Sequence, residues 1–514
     1  MSNKIDFSKY TIENYLEDID KYGLEKTWDN ILLQALETKP TNAVFSVESF
    51  GEIYEIGLEH ENKISKKEMG KYYTPKDVAK VMSEWLFDLE GTNVCDIGCG
   101  TGNLILTYLA TIGKDKAREL INEGKIYLYD KDKIALKICK YSIAIIYGKD
   151  LLSRINTKCC DFLSKKTKLP KECKIICNPP YHSIKEIDDE WEKTKVINES
   201  KELYSSFMEK IIKNSKSSVI ITPYSFIGCQ KFYSLRKIMN EYNGFIVSFD
   251  NVPGNIFSGK KHGIFNSNNS NSVRAAITVV ENKQDLKGFR LTPLIRFKTE
   301  EREALLKCKV LESLLSPTYQ IVDSKNKSYY KCFKELEDVL KKWEKESNIK
   351  LENYISDEKN NFPLYIPDTC RYFTVASVKE LDRTGKKTIY IKDKEVFDYT
   401  YCLMNSTFAY WHWRLYDGGI NCPLNIINTI PVFYDKLSKE DRENIHNIAQ
   451  EMMKEESNYL VYKKNADKLQ ENIKFPKHYR DEINNIFLNA LGVEEKKNLL
   501  DKVHSSSIFG KEKE

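Results

Sequence analysis

The sequence has no Cys-x-x-Cys pair, no long apolar run, no internal repeat and little net charge. Its 13 cysteines come no closer to metal-ligand spacing than Cys95/Cys99, Cys173/Cys177 and the adjacent Cys159/Cys160. That spacing excludes a zinc ribbon, and cysteines embedded in apolar runs read as reduced, buried thiols. The start, MSNKIDFSKYTIENYLEDID, holds no apolar leader. Stretches such as Tyr141–Tyr147 fall far short of the roughly 20 residues that span a bilayer. A cytoplasmic protein with no membrane partner is expected. Net charge is only +5, so a nucleic-acid face would have to come from the distribution of charge rather than its total. The remaining composition is globular. With 514 residues, 30% charged and 41% apolar, the chain is neither disordered nor collagen-like, and its length suits about three domains.

Residues 1–45 read as helices, with Leu16, Ile19 and Leu24, then Trp28, Ile31, Leu32 and Leu36, near helical spacing. From about 71 to 285, short apolar runs alternate with helical stretches. The runs are Asn93–Ile97, Ile126–Tyr129, Cys159–Phe162, Ile175–Cys177, Val219–Thr222, Phe245–Phe249 and Ala275–Val280. The helical stretches are Pro75–Asp88, Asn103–Ile112, Lys131–Tyr147, Tyr204–Asn214 and Lys231–Tyr242. This alternation predicts an α/β fold, a doubly wound, mostly parallel, seven-stranded sheet whose last strand pairs antiparallel. Lys260–Ser272 reads as a polar loop. Farther on, Lys331–Lys350 is a charge-rich helix, Phe362–Lys392 is β-like, 399–434 is aromatic and 436–500 is helical again.

Two short motifs carry chemistry. Val94-Cys95-Asp96-Ile97-Gly98-Cys99-Gly100-Thr101-Gly102-Asn103 is an apolar strand ending in an acid and a glycine turn. Asn at 103 breaks the dinucleotide fingerprint, so the turn suits a nucleoside ligand without a pyrophosphate. Asp96 can hold an ammonium group, Asp130 can accept from ribose hydroxyls, and Asp161 can accept from an adenine amine beside the apolar wall of Phe162. One acid at a strand end is ordinarily just solvated; three in succession are harder to dismiss. The second motif is Asn178-Pro179-Pro180-Tyr181, at the end of the fourth run. The prolines fix φ and remove backbone donors, presenting a rigid Pro179 carbonyl beside the Asn178 side-chain oxygen. Two convergent acceptors suit a planar amine: gripping both hydrogens pulls the nitrogen toward tetrahedral geometry and frees its lone pair. Tyr181 offers a stacking face.

On these motifs, residues 65–285 resemble the amino-methylating DNA methyltransferases that use S-adenosylmethionine, and within them the adenine-N6 gamma class. The resemblance implies that Asn178, Pro179, Pro180 and Tyr181 are catalytic. Phe257, in Val252-Pro253-Gly254-Asn255-Ile256-Phe257, would supply the second aromatic wall for a flipped base. Tyr73, Thr74 and Pro75, within Gly70–Pro75, match the segment that touches the methionine part of the cofactor. Asp96, Gly98, Cys99, Gly100, Gly102, Asn103, Asp130, Lys131, Asp161, Phe162 and Asn178 complete the cofactor-binding set. Tyr204 and Phe207 fall in the segment that closes the pocket, with core packing an equal reading. The expected organisation is a helical segment over 1–45, a catalytic domain over 46–288, an α+β target-recognition domain over 289–435 and a helical region over 436–514.

The function implied is site-specific methylation of adenine N6 in double-stranded DNA by a monomer or homodimer, beside a separate restriction endonuclease. Lys386, Lys387, Lys392, Arg371 and Arg414 are candidate DNA contacts, each weighed against an ordinary surface cation. The aromatic cluster at 399–416, with His412 inside it, reads as core rather than as a stacking platform. Three alternatives stay open: a methyltransferase acting on RNA or a protein glutamine, a non-catalytic DNA-binding module, and a fused restriction–modification enzyme. Against the last, 45 residues are too few for a nuclease, and Pro367-Asp368 has no acid-x-Lys partner downstream.

Overall fold

Strands buried on both faces need near-continuous apolar sequence, and the centre of this chain supplies it. The computed structural model describes residues 4–62, 74–257, 273–282, 285–325, 327–347, 349–370, 372–465 and 468–510. Contacts divide the chain into one unit of Met1–Leu291 with Lys298–Ser328 and a second of Thr292–Phe297 with Tyr329–Glu514.

The first unit is built on a sheet with eight strands among the described residues: β1 (Asn93–Ile97), β2 (Ile126–Asp130), β3 (Asn156–Cys159), β4 (Cys173–Cys177), β5 (Ser217–Pro223), β6 (Asn243–Phe249), β7 (Ala275–Val280) and β8 (Gly288–Leu291). Their order is β3-β2-β1-β4-β5-β7-β6-β8. Only β7 runs against its neighbours, pairing antiparallel with both β5 and β6. The fold is therefore the doubly wound α/β sheet that the alternation predicts, with two corrections. An eighth strand, β8, joins β6 in parallel and extends the seven expected. The third strand lies at 156–159 rather than at 159–162, because an edge strand with all four side chains exposed needs no apolar run.

The chain lays down β1, β2 and β3 in one direction and then returns to β4 beside β1. That reversal opens a crevice at the carboxyl ends of β1 and β4, where such sheets bind ligands. The register pairs Ile97 with Cys177, so the glycine turn and Asn178 leave the sheet side by side. The amino-terminal helices Ile12–Tyr22, Leu24–Thr38 and Phe50–Asn62 share a core with Ala135, Ile138 and Ile145 of the helix Lys133–Tyr147. Trp28, fully buried, donates its indole N–H to the Tyr15 hydroxyl at 2.8 Å at the centre of that core.

The second unit has a three-stranded sheet (Ile355–Ser356, Lys386–Ile391, Pro363–Pro367) and a helical core from Lys394–Met404, Thr407–Tyr416, Lys439–Glu455 and Lys477–Ala490. Tyr399, Tyr401, Phe408, Tyr410, Trp411 and Trp413 are all buried in it, which makes the aromatic cluster a core. Burial lowers the pKa of His412 to about 3, so this ring is a neutral core group. All 13 cysteines are free thiols. Among the described residues, no helix is long and apolar enough to cross a membrane, and no group of three or more His, Cys, Asp or Glu side chains is placed to hold a metal ion.

Candidate active site

The turn after β1 needs glycine for its backbone. Gly98, Gly100 and Gly102 have φ of 69°, 51° and 100°, where a side chain is strained. A Cβ on Gly98 or Gly100 would meet nothing within 4 Å, so the turn presents bare backbone to open space. A Cβ on Gly102 would lie 2.6 Å from Cys139 Sγ, so this glycine serves packing. The Gly100 amide donates to Asp130 Oδ2 at 2.7 Å, tying the turn to the end of β2.

Asp96, the fourth residue of β1, is completely buried. Its Oδ2 accepts from the Ile105 amide at 3.1 Å, while its Oδ1 has no hydrogen-bond partner among the described residues. Burial pushes its pKa up to about 8, against the Ile105 hydrogen bond and with the nearby Asp130 charge adding to the rise. A buried carboxyl with one oxygen unsatisfied is costly unless a ligand completes it.

Asn178 and Asn103 converge on Thr74, the residue before the helix Lys76–Asp88 and its N-cap Pro75. Asn178 Nδ2 donates to Thr74 Oγ1 at 2.9 Å, and Asn103 Nδ2 donates to the Thr74 carbonyl at 2.7 Å. The first bond fixes the Asn178 amide through its nitrogen, the donor end. Pro179 is buried, and Tyr181 is half-buried, its hydroxyl donating to the Ile221 carbonyl at 3.1 Å. Thr74, Asn103, Asn178 and the glycine turn are thus brought together. Tyr73 lies outside the described residues.

Tyr181 and Phe257 also meet, with ring centroids 6.2 Å apart at 67°. They touch edge to face, so a base between them requires a ring to turn. Tyr204 stands 6.3 Å from Tyr181, with its hydroxyl bonded to that of Ser225. Asp161 is exposed two residues beyond β3, where its carboxylate accepts from the Leu163 amide. Phe162 is buried, its ring 5.0 Å from that of Phe207, and Lys131 is exposed. These three stand at the β2–β3 side of the site rather than on Thr74.

Sequence reasoning missed a clamp. Arg302, 1% exposed, binds Asp77 through Nε and Nη2 at 2.5 and 2.9 Å. The same guanidinium donates to the carbonyls of Asn255 at 2.9 Å and Ile256 at 2.7 Å. One side chain therefore joins the helix that follows Thr74 to the segment that carries Phe257. No local pattern announces it, because the partners lie 225 and 46 residues away. Also missed was Tyr54, whose hydroxyl donates to Asp132 at 2.9 Å and braces the turn after Asp130 from the amino-terminal helices.

The candidate DNA contacts in the second unit are largely engaged internally. Lys387 binds Asp368, Lys386 binds Glu380 and the Leu381 carbonyl, Lys392 reaches the Asn353 carbonyl, and buried Arg414 reaches the Leu294 carbonyl. Arg371 lies outside the described residues.

Against known proteins, residues 46–360 match the family model described as N-6 DNA Methylase. The methylase subunit of the type I restriction enzyme MjaIX of Methanocaldococcus jannaschii is 29% identical over 147 residues, 29% of this chain and 24% of that protein. The MpnII methylase subunit of Mycoplasma pneumoniae is 29% identical over 73 residues, 14% of this chain and 13% of that protein. The chain thus spans about a quarter or less of the length of these curated relatives. A nuclease-deletion mutant of the type ISP restriction–modification enzyme LlaGI, solved with a DNA substrate mimic, overlays with a TM-score of 0.46 at 11% identity, covering 98% of this chain and 74% of that one. The family match takes in well over half of the sequence, and this chain belongs to the N-6 DNA methylase family.

Proposed function

We propose that this chain transfers a methyl group from S-adenosylmethionine to the N6 amine of an adenine turned out of double-stranded DNA. The observation that carries the reading is the convergence of Asn178 and Asn103 on Thr74, which sets the amide acceptor beside the open glycine turn. The site residues fit the cofactor on two counts. The unsatisfied, buried Asp96 Oδ1 suits an ammonium group, and the space over Gly98 and Gly100 suits close approach of a nucleoside. Asp130 would accept from the ribose and Asp161 from the adenine amine, with Phe162 as an apolar floor. Thr74, Pro75, Cys99, Asn103 and Lys131 would line the rest.

When bound, the cofactor supplies an electrophilic methyl group on a sulfonium. The protein's residues prepare the nucleophile. Asn178 Oδ1 and the Pro179 carbonyl accept the two hydrogens of the target amine, localising its lone pair. Pro180 keeps that carbonyl rigid and unshared by a following N–H. Tyr181 and Phe257 flank the base once one ring has rotated, and hold it against the cost of unstacking. The amine becomes acidic as it gains charge and loses its proton to water, so no strong base is needed. Residues 46–288 are assigned to this chemistry and the following domain to DNA recognition. The M. jannaschii relative is named a subunit of a restriction enzyme, and a separate endonuclease is the matching partner here.

Labelled-methyl transfer to DNA, RNA and protein tests this reading. Label is expected on DNA adenine. Asn178→Ala should lose at least about 10²- to 10³-fold in kcat while cofactor binding remains measurable by calorimetry. An active Asn178→Ala protein, or label on RNA or protein alone, overturns the proposal.

A further inference from the structure

In the second unit the strands Leu460–Asn465 and Lys468–Ile473 pair antiparallel from Leu460 with Ile473 to Asn465 with Lys468. Among the described residues they form a sheet of their own with no third strand. Six residues per strand make a ribbon about 20 Å long. Its root is anchored. Ile473 is fully buried with Val375 and Leu381, and the Glu471 amide donates to the Asp382 carbonyl at 3.0 Å. The Glu471 carboxylate is used there too, accepting from the Asp382 amide at 2.8 Å.

Gln470 donates to the Thr384 hydroxyl at 3.2 Å, and beyond it the described side chains of the ribbon are exposed. Tyr462 is 59% and Leu469 63% exposed, and Lys463, Lys464 and Lys468 are exposed as well. Alternation puts Tyr462, Lys464 and Leu469 on one face and Val461, Lys463 and Lys468 on the other. Over 460–474 the sequence has four lysines against Asp467 and Glu471. Elsewhere exposed lysines are commonly paired with acids, as in Lys133–Glu25, Lys149–Glu37 and Lys287–Glu241. Lys463 and Lys468 form no ion pair among the described residues. A lone two-stranded ribbon is marginal in water, and this one also exposes apolar side chains, so the arrangement suits a partner better than solvent.

We infer that this ribbon is a duplex-DNA contact, inserted into the major groove. That groove is about 12 Å wide and admits a two-stranded ribbon, with lysines reaching phosphates on both sides and Tyr462 and Leu469 facing base edges. The inference rests on DNA being the substrate. It places the contact outside the segment 289–435, where Lys386, Lys387, Lys392 and Arg414 are internally engaged.

The test is Lys463→Ala/Lys464→Ala/Lys468→Ala in the full chain, with a labelled duplex titrated across salt concentrations by anisotropy. Each phosphate contact contributes about 0.9 to the slope of log K against log salt. The variant should therefore lose about 2 to 3 in slope and about 10²-fold in affinity near 0.1 M salt, with unchanged thermal unfolding and cofactor affinity. A control, Lys149→Ala/Lys193→Ala/Lys287→Ala, should change the slope little. A variant equal to wild type, or a control equally impaired, overturns the ribbon contact while leaving DNA as substrate. Variant DNA binding that is intact while a co-purifying protein is lost overturns it in favour of a protein partner. Wild-type chain that fails to bind duplex overturns both readings.

Discussion

Replacing Asp96 with Asn isolates one atom's worth of chemistry. In the folded chain the carboxyl is raised from 3.8 to about 8, by burial first and by Asp130 in addition. At pH 7 such a group is about 0.9 protonated. A cationic amine placed on its unsatisfied Oδ1 favours the ionised form and drives the proton off. Binding of S-adenosylmethionine at pH 7 should thus release close to one proton, measured by calorimetry in buffers of different ionisation heat. Asp96→Asn should release almost none and bind more weakly. Stability follows the same group. Its folded pKa lies above its unfolded one, so between about pH 4 and pH 8 the folded state holds more protons. The contribution is full below pH 4 and is lost as pH rises through 8, with a ceiling of about 6 kcal/mol. Denaturant unfolding of the wild type should weaken across that window relative to Asp96→Asn. Equal proton release by both proteins, or parallel pH–stability curves, would refute the assignment.

Arg302→Lys keeps a charge but loses the fork, leaving buried carbonyls at 255 and 256 without their donor. It should cost about 1–3 kcal/mol, lower the melting temperature by several degrees and reduce kcat about tenfold while cofactor affinity holds. A melting temperature and kcat like those of the wild type would sink the clamp. Phe257→Ala removes one wall of the proposed base pocket and should weaken extrahelical base capture about tenfold or more, read from a fluorescent adenine analogue at the target position. Unchanged fluorescence rejects that role.

The central sheet was legible because β1, β4, β5 and β7 each carry a short apolar run, as strands covered on both faces do. β3 was misplaced because Asn156-Thr157-Lys158 carries no such signal at an exposed edge, and β8 because four residues are too few to stand out. In the site, the glycines and the Asn-Pro-Pro-Tyr run announced themselves because their chemistry is local. Asp96 was visible as an acid, but its missing partner was not, since that depends on everything packed around it. Arg302, Asp77 and Tyr54 were silent for the same reason: their roles come from partners far away in sequence. The ion pairs of the candidate cations were equally silent. Lys386 and Lys387 are spent on neighbours, which only coordinates reveal.

Thr74 carries a consequence for anyone who would re-engineer this chain. Its hydroxyl receives the Asn178 amide, yet a threonine hydroxyl can equally give a proton. Exchanging Asn178 for aspartate, which has the same reach, would reverse the polarity of that bond, whereas valine at 74 could bond neither side chain. Positions 74 and 178 therefore form a couple, and a change at 178 is read through the group that stands at 74.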